Sequence, residues 1–215
     1  MDTTWQTDAA GVSYPPAPWR LEGDLYASVW RVPSASAPPA PPGAIPLVVA
    51  GQTLVVTGWA EYAPGGVLAY REALCAVLLR APRFPAAAIT HIWVDHPSSV
   101  AGGRALWSIP KVSGRFSGTP ENGAAAFDAD DRPIAALRFT PGLALPWRQR
   151  LGLHIIQQPL MGTDGPQATR LNSAGRIRFG HASWRCEPAG PLGFLHGRRP
   201  WFSARMERAT LRFGV

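Results

Sequence analysis

The sequence predicts an α+β fold in which antiparallel β-strands predominate. Apolar residues alternate with polar ones over stretches of strand length, which is the period of a half-buried β-strand. The chain of 215 residues also contains 23 prolines and 22 glycines, which interrupt it between these stretches and leave little room for helices. With 46% apolar residues it is long enough to bury one sizeable core, so we expect a single domain over residues 1–215.

Eight stretches are predicted to form strands because they combine apolar alternation with β-branched or aromatic residues. They are Leu25–Trp30, Thr53–Tyr62, Val67–Leu79, Ala88–Asp95, Ala124–Asp128, Ile134–Phe139, Gly152–Gln157 and Ser203–Phe213. The best helical stretch is Ser98–Trp107, opened by a serine pair suited to an N-cap. A hairpin turn is expected around Asn172–Gly175. Residues 33–46 are rich in proline, which has no N–H for a β-ladder, and are expected to form an extended surface loop.

Charge and composition argue against several partners. The net charge of +7 raises nucleic acid as a partner, but the arginines are scattered and accompany no nucleic-acid-binding motif, so we expect no nucleic acid. No apolar run approaches the length of a membrane span, and we expect no membrane partner. The first residues are polar and acidic where a signal peptide has basic and then apolar ones, which predicts a cytoplasmic location.

Metal chemistry is not indicated by the sequence. The two cysteines, Cys75 and Cys186, are far apart and are expected to be buried thiols, because their spacing fits neither a disulfide framework nor a metal site. The five histidines are spread along the chain without the spacing of metal ligands. We therefore expect neither a metal nor another cofactor.

Lysine usage points to one position in the chain. Of the 21 basic residues, 20 are arginine and one is a lysine, Lys111, at the end of the segment Trp107–Lys111. A guanidinium stays protonated and cannot attack a carbonyl, whereas a lysine amine can lose its proton in a dry environment. A genome poor in lysine codons explains the count equally well, so the neighbouring residues have to decide.

Those neighbours resemble the segment that carries the reactive lysine in the acetoacetate decarboxylase family. Asp95, the Gly-Arg pair ending at Arg104 and the Pro-Lys pair ending at Lys111 fall at the spacing of that family without a gap. The same register places the motif Tyr70-x-Glu72 on the active-site glutamate of the family. Two motifs in one register are more specific than one alone.

The resemblance implies a closed, cone-shaped β-barrel with a few short helices and an apolar cavity around Lys111. There Lys111 would form an imine with a small keto or oxo acid, and Glu72 would assist the proton transfers. Decarboxylation of a β-keto acid by a lyase is the first expectation. Two alternatives stay open: aldol, dehydration or hydration chemistry through the same imine, and a ligand-binding protein of this fold that has lost the reaction.

The resemblance and the position of the motifs also suggest which side chains contact the substrate. The expected substrate-binding residues are Trp107, Ile109, Trp93, Thr57 and Arg104. We further expect the protein to form a homo-oligomer. No metal ligand is expected among these residues.

The chain departs from the family pattern at three places. Val112 follows the lysine where the well-studied decarboxylases have a second lysine, and Thr57 stands at the position of an upstream glutamate. No arginine falls at the substrate-facing position near the N-terminus, although Arg20 and Arg31 lie on either side of it. Without an adjacent cation, a free amine at Lys111 has to come mainly from desolvation by apolar neighbours such as Trp107, Ile109 and Val112.

Strand periodicity leaves the orientation of the glutamate open. On a strand, Glu72 shares one face with Tyr70 and Leu74, and Arg71 shares the other face with Ala73. Each face thus carries one charge among apolar residues. The resemblance favours Glu72 as the residue that points inward.

Overall fold

The structure of the chain, a computed structural model, describes residues 4–81, 85–160 and 165–214. The strands in these ranges are β1 Gln6–Thr7, β2 Ser13–Tyr14, β3 Trp19–Pro33, β4 Val48–Val49, β5 Gln52–Tyr62, β6 Tyr70–Leu79, β7 Ala86–Val94, β8 Lys111–Ser113, β9 Arg115–Ser117, β10 Ala124–Phe127, β11 Pro133–Ala144, β12 Gln149–Gln157, β13 Gln167–Cys186 and β14 Phe202–Phe213. One α-helix, α1, spans Pro97–Trp107, and a short 3-10 helix spans Gly193–Leu195. The predicted fold class, mainly β with little helix, is confirmed.

Seven of the strands close into a ring. β3 pairs with β5, β5 with β6, β6 with β7, β7 with β12, β12 with β13, β13 with β14, and β14 returns to β3. All of these pairs are antiparallel except that of β7 and β12, which run parallel. Because side chains alternate across a strand, every second residue of the ring points into its interior. The sequence-based expectation of a closed β architecture agrees with this ring.

Beyond β13 the sheet continues through β11, β10 and β9, a segment that we call the flap. The flap packs on the outside of the ring, where the rings of Trp59 and Phe116 lie 5.2 Å apart and those of Tyr26 and Phe139 lie 5.4 Å apart. An outer core lies between ring and flap, and a separate inner core lies inside the ring. Strand β6 is therefore buried on both faces, which accounts for the apolar run Ala73–Leu79.

Helix α1 begins one residue earlier than expected and has a different cap. His96 is the N-cap, and its side chain accepts a hydrogen bond from the backbone N–H of Ser98 at 3.2 Å. Ser98 and Ser99 lie inside the first turn and are buried, so neither serine is the N-cap that the sequence predicted. At the other end Ser108 adopts a left-handed conformation, with φ of 54°, that turns the chain toward β8. No helix in the described ranges is long and apolar enough to cross a membrane.

Two adjacent glycines allow α1 to lie directly against the interior. A Cβ atom at Gly102 would lie 2.4 Å from the ring of Trp19, and one at Gly103 would lie 2.6 Å from Cδ of Lys111. Real Cβ atoms do not approach other atoms so closely, so a larger residue at either position would displace the helix or the side chain beneath it. The helix can cover the end of the ring only because these positions have no side chain.

The hairpin expected around Asn172–Gly175 is wrong. Strand β13 runs through these residues without a turn, and Ser173 pairs with Leu151 on one side and with Leu211 on the other. The small residues that resembled a turn serve close packing instead, because a Cβ atom at Gly175 would lie 2.4 Å from Cγ of Met206. The uninterrupted strand is what joins the ring to the flap.

The proline-rich stretch 33–46 forms mostly irregular chain between β3 and β4, as expected for a surface loop. Pro33 is the last residue of β3, and Pro46 makes an isolated bridge to Leu79. Three alanines of the loop, at positions 37, 40 and 44, pack against the outer core. The loop therefore covers part of the outer core and joins the sheet only at its two ends.

Candidate active site

The interior of the ring contains a cavity of about 240 Å³. Its wall consists mainly of apolar side chains from β3, β5, β6, β7, β12, β13 and β14, with Trp107 and Ile109 closing one end. Among the described residues that line it, Lys111 and Glu72 are the charged ones. The cavity thus combines an apolar wall with one amine and one carboxylate.

Lys111 is buried at this end, with its side chain 5% exposed. Its Nζ donates hydrogen bonds to Oε2 of Glu72 at 2.9 Å, to Oγ of Ser99 at 2.9 Å and to the hydroxyl of Tyr70 at 3.2 Å. These three acceptors match the three N–H bonds of an ammonium group. The ring centroids of Tyr70 and Trp19 lie 5.0 and 6.0 Å from Nζ, so aromatic faces complete the surroundings of the cation.

Strand register explains why the amine and the carboxylate meet. Glu72 on β6 pairs with Val94 on β7, and Lys111 on β8 pairs with Ile92 on the same strand. Val94 and Ile92 are two residues apart and point to the same side of β7. Lys111 and Glu72 therefore approach each other across the inner face, although they are 39 positions apart in the chain.

The inward orientation of Glu72 is settled by its neighbour. Arg71 points to the other side of β6, where its Nε donates a hydrogen bond to Oδ2 of Asp95 at 2.8 Å and its side chain is 37% exposed. The two charges of this strand thus lie on opposite faces, as the motif Tyr70-x-Glu72 led us to expect. Asp95 is thus the ion-pair partner of Arg71.

Two of the five residues expected to bind substrate line the cavity, and three do not. Trp107 and Ile109 form its wall. Thr57 follows Val56, which lines the cavity, and successive side chains of a strand point to opposite faces, so Thr57 is on the outer face of β5. There it accepts a hydrogen bond from Nε1 of Trp30 at 2.9 Å. Trp93 belongs to the outer core for the same reason.

Arg104 lies on the exposed side of α1, outside the cavity. Its Nε donates a hydrogen bond to the backbone carbonyl of Lys111 at 2.7 Å. Arg104, which was expected to contact the substrate, therefore does not line the cavity, and its side chain holds the main chain of the lysine in place. Its guanidinium supplies no cation to the cavity.

Of the three apolar neighbours expected to desolvate Lys111, one does not face the cavity. Val112 points outward and is 39% exposed, so it does not dry the amine. The other two expected neighbours, Trp107 and Ile109, line the cavity together with Lys111, and Trp19 and Tyr70 add two aromatic rings beside the amine. The amine also forms an ion pair with the carboxylate of Glu72 at 2.9 Å, so its surroundings are not purely apolar.

Ser99, Tyr70 and Tyr62 are parts of the site that sequence reasoning did not assign to it. Tyr70 has a signal in the sequence, because it lies two residues before Glu72 and therefore on the same strand face. Ser99 has none, since its hydroxyl reaches Nζ only through the way α1 covers the ring. Tyr62 is the cross-strand partner of Tyr70, with ring centroids 4.7 Å apart.

The two tyrosines are neutral hydrogen-bonding groups. Burial, and after it the negative charge of Glu72, raise the pKa of Tyr62 and the pKa of Tyr70 well above the ordinary value. Both phenols therefore keep their protons at physiological pH and can donate to an anionic or carbonyl oxygen. Within residues 4–81, 85–160 and 165–214, no group of three or more His, Cys, Asp and Glu side chains is arranged to hold a metal ion.

Comparison with known proteins gives a family match. The family model described as Acetoacetate decarboxylase (ADC) matches residues 6–164. No curated protein sequence matches the chain.

Solved structures with the same fold span almost the whole chain. An enduracididine biosynthesis enzyme, MppR, complexed with pyruvate has a TM-score of 0.68 at 17% identity, covering 100% of this chain and 97% of that one. An acetoacetate decarboxylase from Legionella pneumophila has a TM-score of 0.66 at 14% identity, covering 93% and 86%. An acetoacetate decarboxylase-like enzyme from Sphingomonas wittichii RW1 has a TM-score of 0.62 at 17% identity, covering 98% of both chains. At identities this low, the matches establish a shared fold and nothing more about function.

Proposed function

The chain belongs to the acetoacetate decarboxylase family, and from that premise we propose that it is a lyase in which Lys111 forms a Schiff base with a keto or oxo acid. The observation that carries the proposal is the position of Nζ of Lys111, buried in a cavity and 2.9 Å from Oε2 of Glu72. A nucleophile within hydrogen-bond reach of its base is the arrangement required for covalent catalysis.

The ion pair provides the first step. Transfer of one proton from Lys111 to Glu72 gives an amine and a carboxylic acid without changing the net charge of the cavity. Nζ then attacks the carbonyl carbon, a C–N bond forms, and the carbonyl oxygen takes a proton from Glu72. Loss of water leaves a protonated imine, and the carboxylate of Glu72 is its counterion.

Decarboxylation of a β-keto acid is the reaction that we propose for this imine. The C–C bond to the substrate carboxylate breaks, its electron pair moves toward the iminium nitrogen to give an enamine, and carbon dioxide leaves. Protonation at carbon and attack by water then release the ketone and the free lysine. Among the described lining residues Lys111 is the one cation, so a substrate carboxylate has no other charged partner there. An apolar environment favours a step that removes this charge.

A second candidate is aldol or dehydration chemistry through the same imine. The observation in its favour is the fold shared with MppR, an enzyme whose structure was solved with pyruvate. Retention of a carboxylate throughout such a reaction calls for a cationic partner, and for this reason we place the candidate second. Loss of catalysis with retained ligand binding is the third possibility.

Reductive trapping distinguishes these functions. The protein is incubated with acetoacetate, other 3-oxo acids or pyruvate, reduced with borohydride and digested. The mass of the Lys111 peptide is then measured by mass spectrometry. Decarboxylation predicts a reduced adduct that carries only the carbon skeleton of the ketone, whereas carbon–carbon or carbon–oxygen chemistry on a retained acid predicts an adduct that keeps the carboxylate. Lys111→Arg is the control. Absence of any adduct on the Lys111 peptide would overturn the Schiff-base proposal.

A homo-oligomer and a cytoplasmic location are also proposed, and light scattering and cell fractionation test them.

A further inference from the structure

The cavity extends well beyond the ion pair. Along β6 the inner face carries Glu72, then Leu74, Ala76 and Leu78, and all four line the cavity. At a rise of about 3.3 Å per residue, these six steps of strand cover about 20 Å. The charged groups therefore occupy one end of an elongated space and not its centre.

The remainder of the wall is aliphatic. Beyond the ion pair it is formed chiefly by leucine, isoleucine and valine side chains of the ring, namely Leu25, Val56, Leu74, Leu78, Ile89, Leu153, Ile155, Leu171 and Leu211. Several of them, among them Leu74, Leu78 and Leu153, are only half-buried, whereas Lys111 and Glu72 are 4% and 6% exposed. The accessible part of the cavity is thus apolar, and the reactive amine lies at its buried polar end.

The size of the cavity agrees with an apolar ligand. A cavity of roughly 150 Å³ lined by aliphatic and aromatic side chains accommodates benzene, so about 240 Å³ holds roughly ten non-hydrogen atoms. A keto acid as small as acetoacetate would place its polar groups at Lys111 and leave the leucine-lined part unfilled. An empty apolar space contributes nothing to binding, whereas each methylene placed in it does.

We infer that the substrate is a 3-oxo acid with an apolar chain of several carbons, and this inference rests on the proposed Schiff-base function. The keto carbon lies at Nζ of Lys111, and the carboxylate lies at the buried end near the phenols of Tyr62 and Tyr70. The chain lies along Leu74 and Leu78 toward the accessible side. Loss of carbon dioxide then gives a methyl ketone that keeps the chain.

The test is a series of straight-chain 3-oxo acids, from about four to about ten carbons, assayed below their micellar concentrations for carbon dioxide release and for borohydride trapping on Lys111. The catalytic efficiency kcat/KM is expected to rise roughly fourfold per added methylene, because burial of one methylene is worth about 0.8 kcal/mol. The rise should end when the cavity is filled.

A pair of substitutions at one position sharpens the test. Val56 pairs with Ala76 across β5 and β6, and both line the cavity. Val56→Phe narrows the cavity and should move the optimum to shorter chains, whereas Val56→Ala should move it to longer ones. A general defect in folding would not shift the optimum in opposite directions. Val48→Phe, at a residue on β4 that is 47% exposed, is the matched control and should leave the series unchanged.

The outcomes separate this inference from the proposed function. A rise with chain length and opposite shifts in the two Val56 variants support a long apolar substrate. Trapping of acetoacetate without any gain for longer acids would overturn the inference and leave the Schiff-base function standing. Absence of trapping with every acid of the series would overturn both.

Discussion

Both faces of strand β6 carry buried residues, yet these residues have different surroundings. On the inner face Tyr70, Glu72 and Leu74 face the cavity. On the outer face Cys75 and Val77 pack into the outer core beneath the flap and are 0% exposed. Burial therefore does not by itself identify a functional site in this molecule. The candidate site differs from the outer core in having open space next to a paired amine and carboxylate.

The two cores also respond differently to truncation of a side chain. Side chains of the outer core fill the space between two layers of sheet, so a shortened side chain leaves a void that its neighbours do not fill. Side chains of the inner core border a space that is already open, and their truncation enlarges it. We therefore expect inner substitutions to change chemistry more than stability, and outer ones to change stability more than chemistry.

The largest expected effect is that of Lys111→Arg on the inner side. The arginine keeps a positive charge beside Glu72 but has no amine that can form an imine, so trapping at this position should be lost completely. Mass spectrometry of the reduced and digested protein measures it, and circular dichroism verifies the fold. Decarboxylation that persists in Lys111→Arg at the rate of the unsubstituted protein would contradict the assignment.

Glu72→Gln is expected to have the next largest effect. Loss of the proton-transfer group should slow turnover by about 10²–10⁴-fold, whereas trapping still labels Lys111. The matched control is Arg71→Gln, one residue away on the outer side, whose ion pair with Asp95 is partly exposed and worth little. Steady-state kinetics of both variants, at a temperature where each is folded, make the comparison. Equal effects of the two substitutions would refute a catalytic role for the inner face.

A pair of leucines tests the difference in stability. Leu137 on the flap is 1% exposed in the outer core, and Leu137→Ala should lower the free energy of unfolding by about 2–5 kcal/mol. Leu74 is half-buried beside the cavity, and Leu74→Ala should cost about 1 kcal/mol or less, because little new empty volume is created. Urea denaturation of both variants measures the difference. A larger loss for Leu74 would show that the inner wall, too, is closely packed.

The smallest expected effect concerns His91, which stacks on Trp93 with ring centroids 6.0 Å apart at the outer core. Burial lowers the pKa of its imidazole below the ordinary value of 6.5. The unfolded chain therefore binds a proton at His91 before the folded protein does. Stability from this residue is present above pH 6.5 and is lost as the pH falls toward the lowered folded value, with a slope below about 1.4 kcal/mol per pH unit. Urea denaturation from pH 7 to pH 5 should show a shallower decline in His91→Gln than in the unsubstituted protein.

Much of the fold and part of the site can be predicted from the sequence. Alternation and the density of proline and glycine predict the β class, and each of the eight predicted strands overlaps a strand of the structure. The hairpin at Asn172–Gly175 could not be rejected, because small residues that permit close packing look like turn residues. Thr57 and Trp93 were expected at the cavity but face the outer core, because a one-residue difference in register moves a side chain to the other face of its strand.

The candidate site shows the same division. The chain has one lysine, and the spacing between Glu72 and that lysine matches the family pattern without a gap. Both are properties of the sequence, and they single out the pair that lies 2.9 Å apart. The part played by Ser99 and the outward direction of Val112 and Arg104 depend on how α1 covers the end of the ring. No local pattern describes that contact.

The sequence by itself determined the class of fold, the identity of the amine and which residues of β6 share a face. Tertiary structure alone decided which of those faces is the inside, which hydroxyls reach Nζ of Lys111, and that an apolar cavity extends beyond the ion pair. The physical reason is that strand alternation divides the side chains between two faces but does not indicate which face points into the ring. Where a flap covers the outer face, both sets are apolar, and only the closure of the ring distinguishes them.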